Sequence, residues 1–365
     1  MVGRGGDWCM SKKCSVFLGT TIVAPGQGGI AVVARLTARA LRSMAREVEM
    51  LSLLDEFPQE VAGIPCPTTK GSKLAYLLRC HKAAFRHQRF IYDHMGIARA
   101  HPRFGGIKRP YAVWMHGIEA WNHLDREKER VLKDADLVLV NSHFTLNKFQ
   151  EMHFPLENAC VCRLATEQDD PPPPEDMPDF SGPPTVLILG RQDKDAYYKG
   201  HKELIECWHK VVEAVPDARL VIAGGGDGLS LTRKLVAQSP VADQIEVLGF
   251  VPHNELPALW KRAHLFAMPS RGEGFGLVYA EAMRYGLPVI ASVHDAGKEI
   301  NRHGETGFNV DLTMNEELPA EIIRLLSDKK MKKLLGKASF ELWRTEYSCR
   351  MFLVRFSKII MHQQF

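Results

Sequence analysis

Short runs of apolar, β-branched residues alternate along the chain with stretches whose apolar positions recur every three or four residues. "CSVFLGTTIV" (14–23), "FIYDHMG" (90–96), "PYAVWMHG" (110–117) and "ADLVLVNS" (135–142) read as buried strands. Helical patterns begin near Ile30 and again in "AWNHLDREKERVLKDA" (120–135). Strand, helix and strand in succession imply a parallel sheet covered by helices on both faces. The alternation stops at "DDPPPPEDMPDFSGPP" (169–184), where seven prolines in sixteen residues can continue neither a helix nor an inner strand. A second series follows: "TVLILG" (185–190), a helix over 200–214, "ARLVIAGGG" (218–226), a helix over 229–238, "IEVLGFV" (245–251), "AHLFAMPS" (263–270), "PVIAS" and "TGFNV". The pattern predicts an α/β chain of two Rossmann-like, doubly wound domains, 1–170 and 185–343. A proline-rich linker at 171–184 joins them, and a helical tail follows at 344–365. Such sheets bind ligands beyond the carboxyl ends of their strands, so the expected site faces the cleft between the domains.

Composition changes this picture in one place. A net charge of +4 does not point to nucleic acid, but nine Lys or Arg stand against Asp93 alone between Lys73 and Arg109. Within that run, "KLAYLLRCHKAAFRHQRF" (73–90) puts Leu74, Leu77, Leu78, Ala84 and Phe85 on one helical face. A core helix with a solvated basic side is one reading. Docking on anionic lipid, or on an acidic or lipid-linked acceptor, is the other. The eight cysteines include no CxxC pair, and no apolar run reaches the roughly twenty residues of a membrane span. "MVGRGGDWCMSKKCSVFLGT" has no signal-peptide h-region. The expected location is cytoplasmic, with peripheral attachment at the inner membrane face as the variant that the basic run suggests.

The candidate chemistry sits in "SRGEGFGLVYAEAMRYGLPVIAS" (270–292), where Glu273 and Glu281 stand eight positions apart around a Gly-Phe-Gly turn. "LVYAEAMRY" is helical in composition and ends at Gly286, with Pro288 beyond. Its start has no Ser, Thr or Asp cap, so the first-turn amides are free for an anion such as phosphate. Two carboxylates that each accept bonds from a vicinal diol, around a phosphate site, describe a nucleotide sugar.

On these residues the chain resembles the retaining GT-B glycosyltransferases of family 4, also called group 1. Residues 269–292 match that family's P-S-x-x-E-G-F-G-L-x-x-x-E-A-M stretch. "LGRQDKDAYYKGHKELIECW" (189–208), "LVIAGGGDG" (220–228), "VLGFVPHNELPALWKRAHLFAMPS" (247–270) and "ETGFNV" (305–310) also fit. "GGIAVVARLTARAL" (28–41), "WMHGIE" (114–119) and "VNSHFT" (140–145) fit more loosely. The resemblance implies that Arg191 and Lys199 bind the donor diphosphate together with the amides of Gly274, Phe275, Gly276 and Leu277. It implies that Glu281 holds the ribose and that Glu273 meets the transferred sugar near its reacting carbon. His116 would lie beside the sugar from the facing domain, Gly28 and Gly29 would close over the phosphates or acceptor, and backbone at Gly249, Phe250 and Val251 would meet the base. No metal or other cofactor is implied, and the resemblance implies that the tail, 344–365, packs back on the first domain. The partners expected are a nucleotide sugar and an acceptor of glycan or lipid-linked type. The sequence departs from the pattern at "HDAGKE" (294–299), which keeps Glu299 without a glycine pair, and in the long gap "QDKDAYY".

Other signals are weaker. "GQGGIA" (26–31), with Glu47 and Glu49 some twenty residues on, is a partial dinucleotide fingerprint and the basis of a rival oxidoreductase reading. That rival leaves Arg191, Lys199, Glu273 and Glu281 unexplained. A sugar-nucleotide epimerase would need an acid and base pair that is not evident, and an inactive binding module should have lost one of those four residues. Asp134 and Asp136 form a D-x-D that reads as a solvated corner. His81, His87, His94 and His101 lack the close spacing of a helical metal site.

Overall fold

The computed structural model describes residues 15–44, 46–103, 109–121, 124–363 and 365. Cys9, Cys14, Lys108 and most of the segment read for a leader lie outside the described residues. The strands are β1 (Ser15–Thr20), β2 (Glu47–Ser52), β3 (Gln59–Val61), β4 (Ile64–Cys66), β5 (Arg89–Tyr92), β6 (Tyr111–Met115), β7 (Leu137–Val140) and β8 (Ala159–Val161), then β9 (Thr185–Leu189), β10 (Arg219–Ala223), β11 (Ile245–Gly249), β12 (Leu265–Ala267), β13 (Val289–Ser292) and β14 (Gly307–Val310). One sheet runs β2-β1-β5-β6-β7-β8 and the other β11-β10-β9-β12-β13-β14. The register pairs β1 with β2 and β5, and β9 with β10 and β12, all parallel. Every residue of β1, β6, β7, β13 and β14 is buried. Because successive side chains point to opposite faces, full burial means that both faces are covered, which is why these strands read as unbroken apolar runs.

Three elements differ from the sequence expectation. β2 was not anticipated, because "EVEMLS" carries two glutamates at its open end. The hairpin β3–β4 was also missed; it turns on Ala62 and Gly63, both at positive φ (52° and 73°), as a two-residue turn requires. The helix expected over 120–135 is instead Ile118–Trp121 and Arg126–Asp134. The second of these starts where the Asp125 carboxylate accepts the Lys128 amide at 2.9 Å.

The basic helix does not fit the first of its two readings, a core helix buried by its leucines. It spans Lys73–Ala83 and is capped by the Ser72 hydroxyl, which accepts the Ala75 amide at 3.3 Å. Its buried residues are Tyr76, Cys80 and Ala83, whereas Leu74, Leu78 and Phe85 are 67%, 61% and 76% exposed. Both faces satisfy helical spacing. Gly19 of β1 decides between them, since it leaves the space that the Tyr76 hydroxyl and Tyr92 ring occupy.

Compactness divides the chain into two units. The first takes the described residues up to Met115, Asp125–Leu139 and Leu353–Phe365. The second takes the described residues of His116–Leu124 and Val140–Phe352. In the first unit Phe17, Phe90, Tyr92, His101 and Tyr111 form a contiguous ring cluster. There the Trp114 indole stacks on Phe356 at 6.4 Å, and its N–H donates to the Thr37 hydroxyl at 3.2 Å. In the second unit Trp260, Phe266 and Tyr279 pack ring to ring beneath β12. The proline-rich stretch belongs to this unit, with Phe180 5.8 Å from the His264 ring and the Arg284 Nε donating to the Asp170 carbonyl.

Candidate active site

In the second sheet β10 and β11 lie on one side of β9, and β12, β13 and β14 on the other. The order therefore reverses between β9 and β12, where α/β sheets open a crevice at their carboxyl ends. The predicted donor residues of this unit fall on the loops there. Arg191 and Lys199 follow β9, Gly249, Phe250 and Val251 end or follow β11, and Glu273 to Leu277 follow β12. The loops after β9, β10 and β11 are tied together by backbone. The Gly190 amide donates to the Ala223 carbonyl (3.0 Å), Gln192 to Gly225 (2.9 Å) and Gly224 to Gly249 (2.7 Å). A Cβ at Gly224, where φ is 125°, would run into the Gly190 carbonyl, so the glycine run at 224–226 lets these backbones touch.

Lys199 closes a 3₁₀ turn, Lys194–Lys199, and its ammonium forms an ion pair with Glu273 Oε1; each side chain is 14% exposed. The Glu273 backbone is itself held on both sides. Its amide donates to Asp295 Oδ2 at 2.8 Å, and its carbonyl accepts the Ala296 amide at 3.1 Å. Asp295 also accepts the Ser270 hydroxyl and, at 2.9 Å, the Gly297 amide. Sequence reasoning passed over Asp295, although Asp-x-Gly is the signature of a side chain bonding its own backbone two residues on.

Gly276 takes the left-handed conformation (φ 84°) that starts the helix Leu277–Arg284, and no side chain caps it. Among the described residues no acceptor meets the amides of 274–277. The Gly274 carbonyl is fixed by the hydroxyls of Ser142 (2.6 Å) and Thr145 (3.1 Å). The helix ends at Gly286 (φ 65°), as the sequence indicates. Glu281 sits one turn in and only partly open to water. Burial pushes its carboxyl up to about 7, against the pull of Arg284 and with a contribution from Glu167.

His116 was expected on the facing domain; by compactness it lies in the same unit as Glu273. Its amide donates to Glu119 Oε1 at 2.6 Å and its carbonyl accepts from the Asn141 amide group at 2.6 Å, beside Gly274. Arg191 is largely exposed and pairs with Asp193 at 3.3 Å. Phe250 is exposed, with its Cβ against Gly225. Gly28 (φ 85°) and Gly29 belong to the first unit, where they open the helix Gly29–Ser43 without a side-chain cap. Glu299 caps the helix His143–Met152 through the amides of His143 and Phe144.

The rival motifs find local partners. Glu49 accepts from His87 Nε2 (2.7 Å) and Arg86 (2.9 Å). His81 meets the Leu77 carbonyl, His94 the Gly96 amide, and His101 the Tyr92 hydroxyl and Arg109 carbonyl. Asp136 accepts the Tyr111 amide, and Asp134 lies 3.9 Å from Arg103. Among the described residues no three His, Cys, Asp or Glu side chains converge to hold a metal.

Burial raises three carboxyls: Asp93 to about 8, Glu281 to about 7 and Asp295 to about 6. Each folded value exceeds the unfolded one, so the stability tied to these groups is present at low pH and is lost as pH rises through 6 to 8. His101 and His201, both lowered to about 4 by burial, act oppositely but only below about 6.5. The ligand-free protein should therefore melt at a lower temperature at about pH 8.5 than at about pH 6.5. Glu281→Gln should flatten part of that slope, as calorimetry across this range would register.

Comparison with known proteins follows the same lines. Residues 175–341 match the model of the family described as glycosyl transferases group 1. The chain is 30% identical over 254 residues to the GDP-mannose-dependent alpha-(1-6)-phosphatidylinositol monomannoside mannosyltransferase of Mycolicibacterium smegmatis. That alignment covers 65% of this chain and 65% of the relative, just under two thirds of its length. In structure the chain is similar to Anabaena HepE in complex with UDP and glucose, with a TM-score of 0.76 at 18% identity, covering 95% of this chain and 99% of that one. It is also similar to sucrose-phosphate synthase of Thermosynechococcus elongatus, with a TM-score of 0.78 at 19% identity, covering 96% and 98%.

Proposed function

We propose that the protein, whose residues 175–341 match the glycosyl transferases group 1 family in a chain with the GT-B fold, moves a sugar from a nucleotide-diphosphate sugar to an acceptor hydroxyl. The observation that carries this reading is the largely shielded Lys199–Glu273 pair at the β9/β12 switch point, beside amides 274–277 that have no acceptor among the described residues. A diphosphate entering there would draw the Lys199 ammonium away from Glu273 and accept the free amides. Glu273 would then be released to accept a hydroxyl of the transferred sugar.

The reaction follows from charge. As the sugar–phosphate bond breaks, its electron pair goes to the diphosphate and the sugar carbon becomes cationic. Lys199, Arg191 and the helix N-terminus answer the new negative charge, Lys199 from a position largely shielded from water. The acceptor oxygen bonds to the carbon on the face the diphosphate leaves, and its proton passes to a departing phosphate oxygen. The product keeps the anomeric configuration. We assign no metal to this chemistry, because these cations and amides cover the leaving group. Glu281 is assigned to the ribose, backbone at Gly249–Val251 to the base, His116 to the sugar, and Gly28–Gly29 to the phosphates or acceptor. The M. smegmatis relative is described as GDP-mannose-dependent and acts on a phosphatidylinositol monomannoside. We infer GDP-mannose as donor and a lipid-linked glycan as acceptor. Among the described residues no helix is long and apolar enough to cross a membrane, so the reading includes peripheral attachment.

The test is a thermal-shift series with GDP-mannose, GDP, UDP-glucose and NAD, with and without a chelator. A ligand at a hundred times its Kd adds about 2.7 kcal/mol of stability. The guanine compounds should stabilise the chain regardless of the chelator, and Glu281→Ala should lose roughly 1.5–3 kcal/mol of that binding. Stabilisation by NAD alone would sink the assignment.

A further inference from the structure

The helix Lys73–Ala83 buries Tyr76, Cys80 and Ala83, which leaves the other side of the helix open. That side carries Leu74, Leu78, Lys82 and Phe85 at spacings of four, four and three, so they share a face. Phe85 stays in line because the turn continues beyond the helix: Phe85 donates to the Lys82 carbonyl at 3.3 Å and Arg86 to Ala83 at 2.9 Å. Leu74, Leu78 and Phe85 are each more than half exposed. Three large apolar side chains in water on one short face leave a contiguous patch that folding has not covered.

The charge around the patch is of one sign. Residues 61–92 contain Lys70, Lys73, Arg79, Lys82, Arg86 and Arg89 and no Asp or Glu. Lys73, Arg79 and Lys82 are exposed, and Arg86 is shared with Glu49 across a 2.9 Å pair. Lys70 holds its ammonium 5.7 Å over the ring of the exposed Phe57, just ahead of the Ser72 cap. Exposed Glu56 beside Phe57 and exposed Glu60 on β3 are acidic, so the uniformly basic surface begins at Lys70. A second copy of the chain is a poor occupant, because its basic ring would meet an identical one.

We propose that this face, Leu74, Leu78 and Phe85 rimmed by Lys70, Lys73, Arg79 and Lys82, docks on the surface of an anionic lipid bilayer. The apolar side chains would enter the acyl boundary while the lysines and arginine stay among the headgroups, as in helices that lie in a membrane interface. The inference names the surface behind the peripheral attachment proposed above, and it does not require the sugar-transfer reading to hold.

The experiment is flotation of the full chain with vesicles of phosphatidylcholine alone and of phosphatidylcholine mixed with phosphatidylglycerol. Binding should appear with the anionic vesicles and weaken as salt shortens the screening length. Each cation near an anionic surface is worth about 1 kcal/mol, so Lys73→Gln with Arg79→Gln should lower partitioning about thirtyfold. Leu74→Ser with Leu78→Ser should lower it by about tenfold or more. All four positions are exposed, so melting temperature and GDP binding should be unchanged and serve as controls. Equal binding to neutral and anionic vesicles, no binding to either, or self-association that the serine variants abolish would each overturn the proposal. Because flotation needs no turnover, a protein that floats but transfers no sugar would refute the reaction and leave the docking face standing.

Discussion

Lys199→Ala should lower turnover by about two to three orders of magnitude while changing the Kd for GDP by less than about tenfold. The asymmetry follows from where the ammonium stands. In the ligand-free chain it is paired with Glu273 and largely out of water, so binding the ground-state diphosphate means exchanging one anion for another. The exchange gains little net affinity. When the sugar–phosphate bond breaks, the extra charge arrives on the diphosphate, and the ammonium, more shielded from water than Arg191, then acts at greater strength. Steady-state kinetics beside isothermal titration with GDP separates the two effects. A variant that turns over normally would remove Lys199 from the reaction, and one that loses GDP binding in step with turnover would make it a binding residue only. Arg191 gives the internal comparison. It is exposed and engaged by Asp193, so its ligand-free charge is already screened, and its alanine variant should lose less.

Gly274→Ala should abolish activity and destabilise the protein by about 1–3 kcal/mol. Gly274 is not among the glycines with positive φ, so backbone strain is not the reason. The obstacle is space. A Cβ there would strike the His116 carbonyl oxygen and lie 3.1 Å from the Gly117 Cα, and both are backbone. His116 cannot move aside, because Glu119 and Asn141 hold its amide and carbonyl. Nor can residue 274, whose carbonyl is fixed by Ser142 and Thr145. The strain would pass instead into amides 274–277, the group that has to meet the diphosphate. Gly304→Ala supplies the contrast: its φ is 77° with nothing within 4 Å, so it should cost roughly 1 kcal/mol for conformation alone and leave activity intact. Chemical denaturation and an activity assay on the two variants would check this, and equal behaviour would mean that the contact with His116 has no functional weight.

Much of the architecture was legible because parallel strands buried on both faces must be apolar throughout, and the linkers between them must be polar or rich in glycine. β2 escaped because its exposed end alternates Glu47, Val48 and Glu49, a pattern no different from a surface loop's. The helix at 73–83 was located, but which of its sides is buried was left open between two readings. Helical spacing names two or three plausible faces, and a tyrosine fitting over Gly19 outweighed two leucines, a choice set by the partner surface. At the site, glycines, cations and acids announced themselves as unusual residues in unusual places. Asp295 did not, since its work is to hold the Glu273 and Gly297 amides and nothing in its own neighbourhood in sequence calls for a ligand. The position of His116 depended on which loops pack together, information that no local pattern holds.

Neither compact unit is continuous in sequence, and this bears on how the chain is made. The first unit contains the earliest strands but also Leu353–Phe365, and Phe356 of that last segment stacks on Trp114. The helix His143–Met152 likewise waits for Glu299 to close its first turn. On the ribosome, the first sheet can begin to pair while the second is still being translated, but its core cannot be completed until residues beyond the whole of the second unit have emerged. Synthesis therefore runs ahead of folding for most of the chain, and a nascent first unit spends that interval with aromatic surface uncovered, the condition under which chaperones hold a chain and aggregation competes.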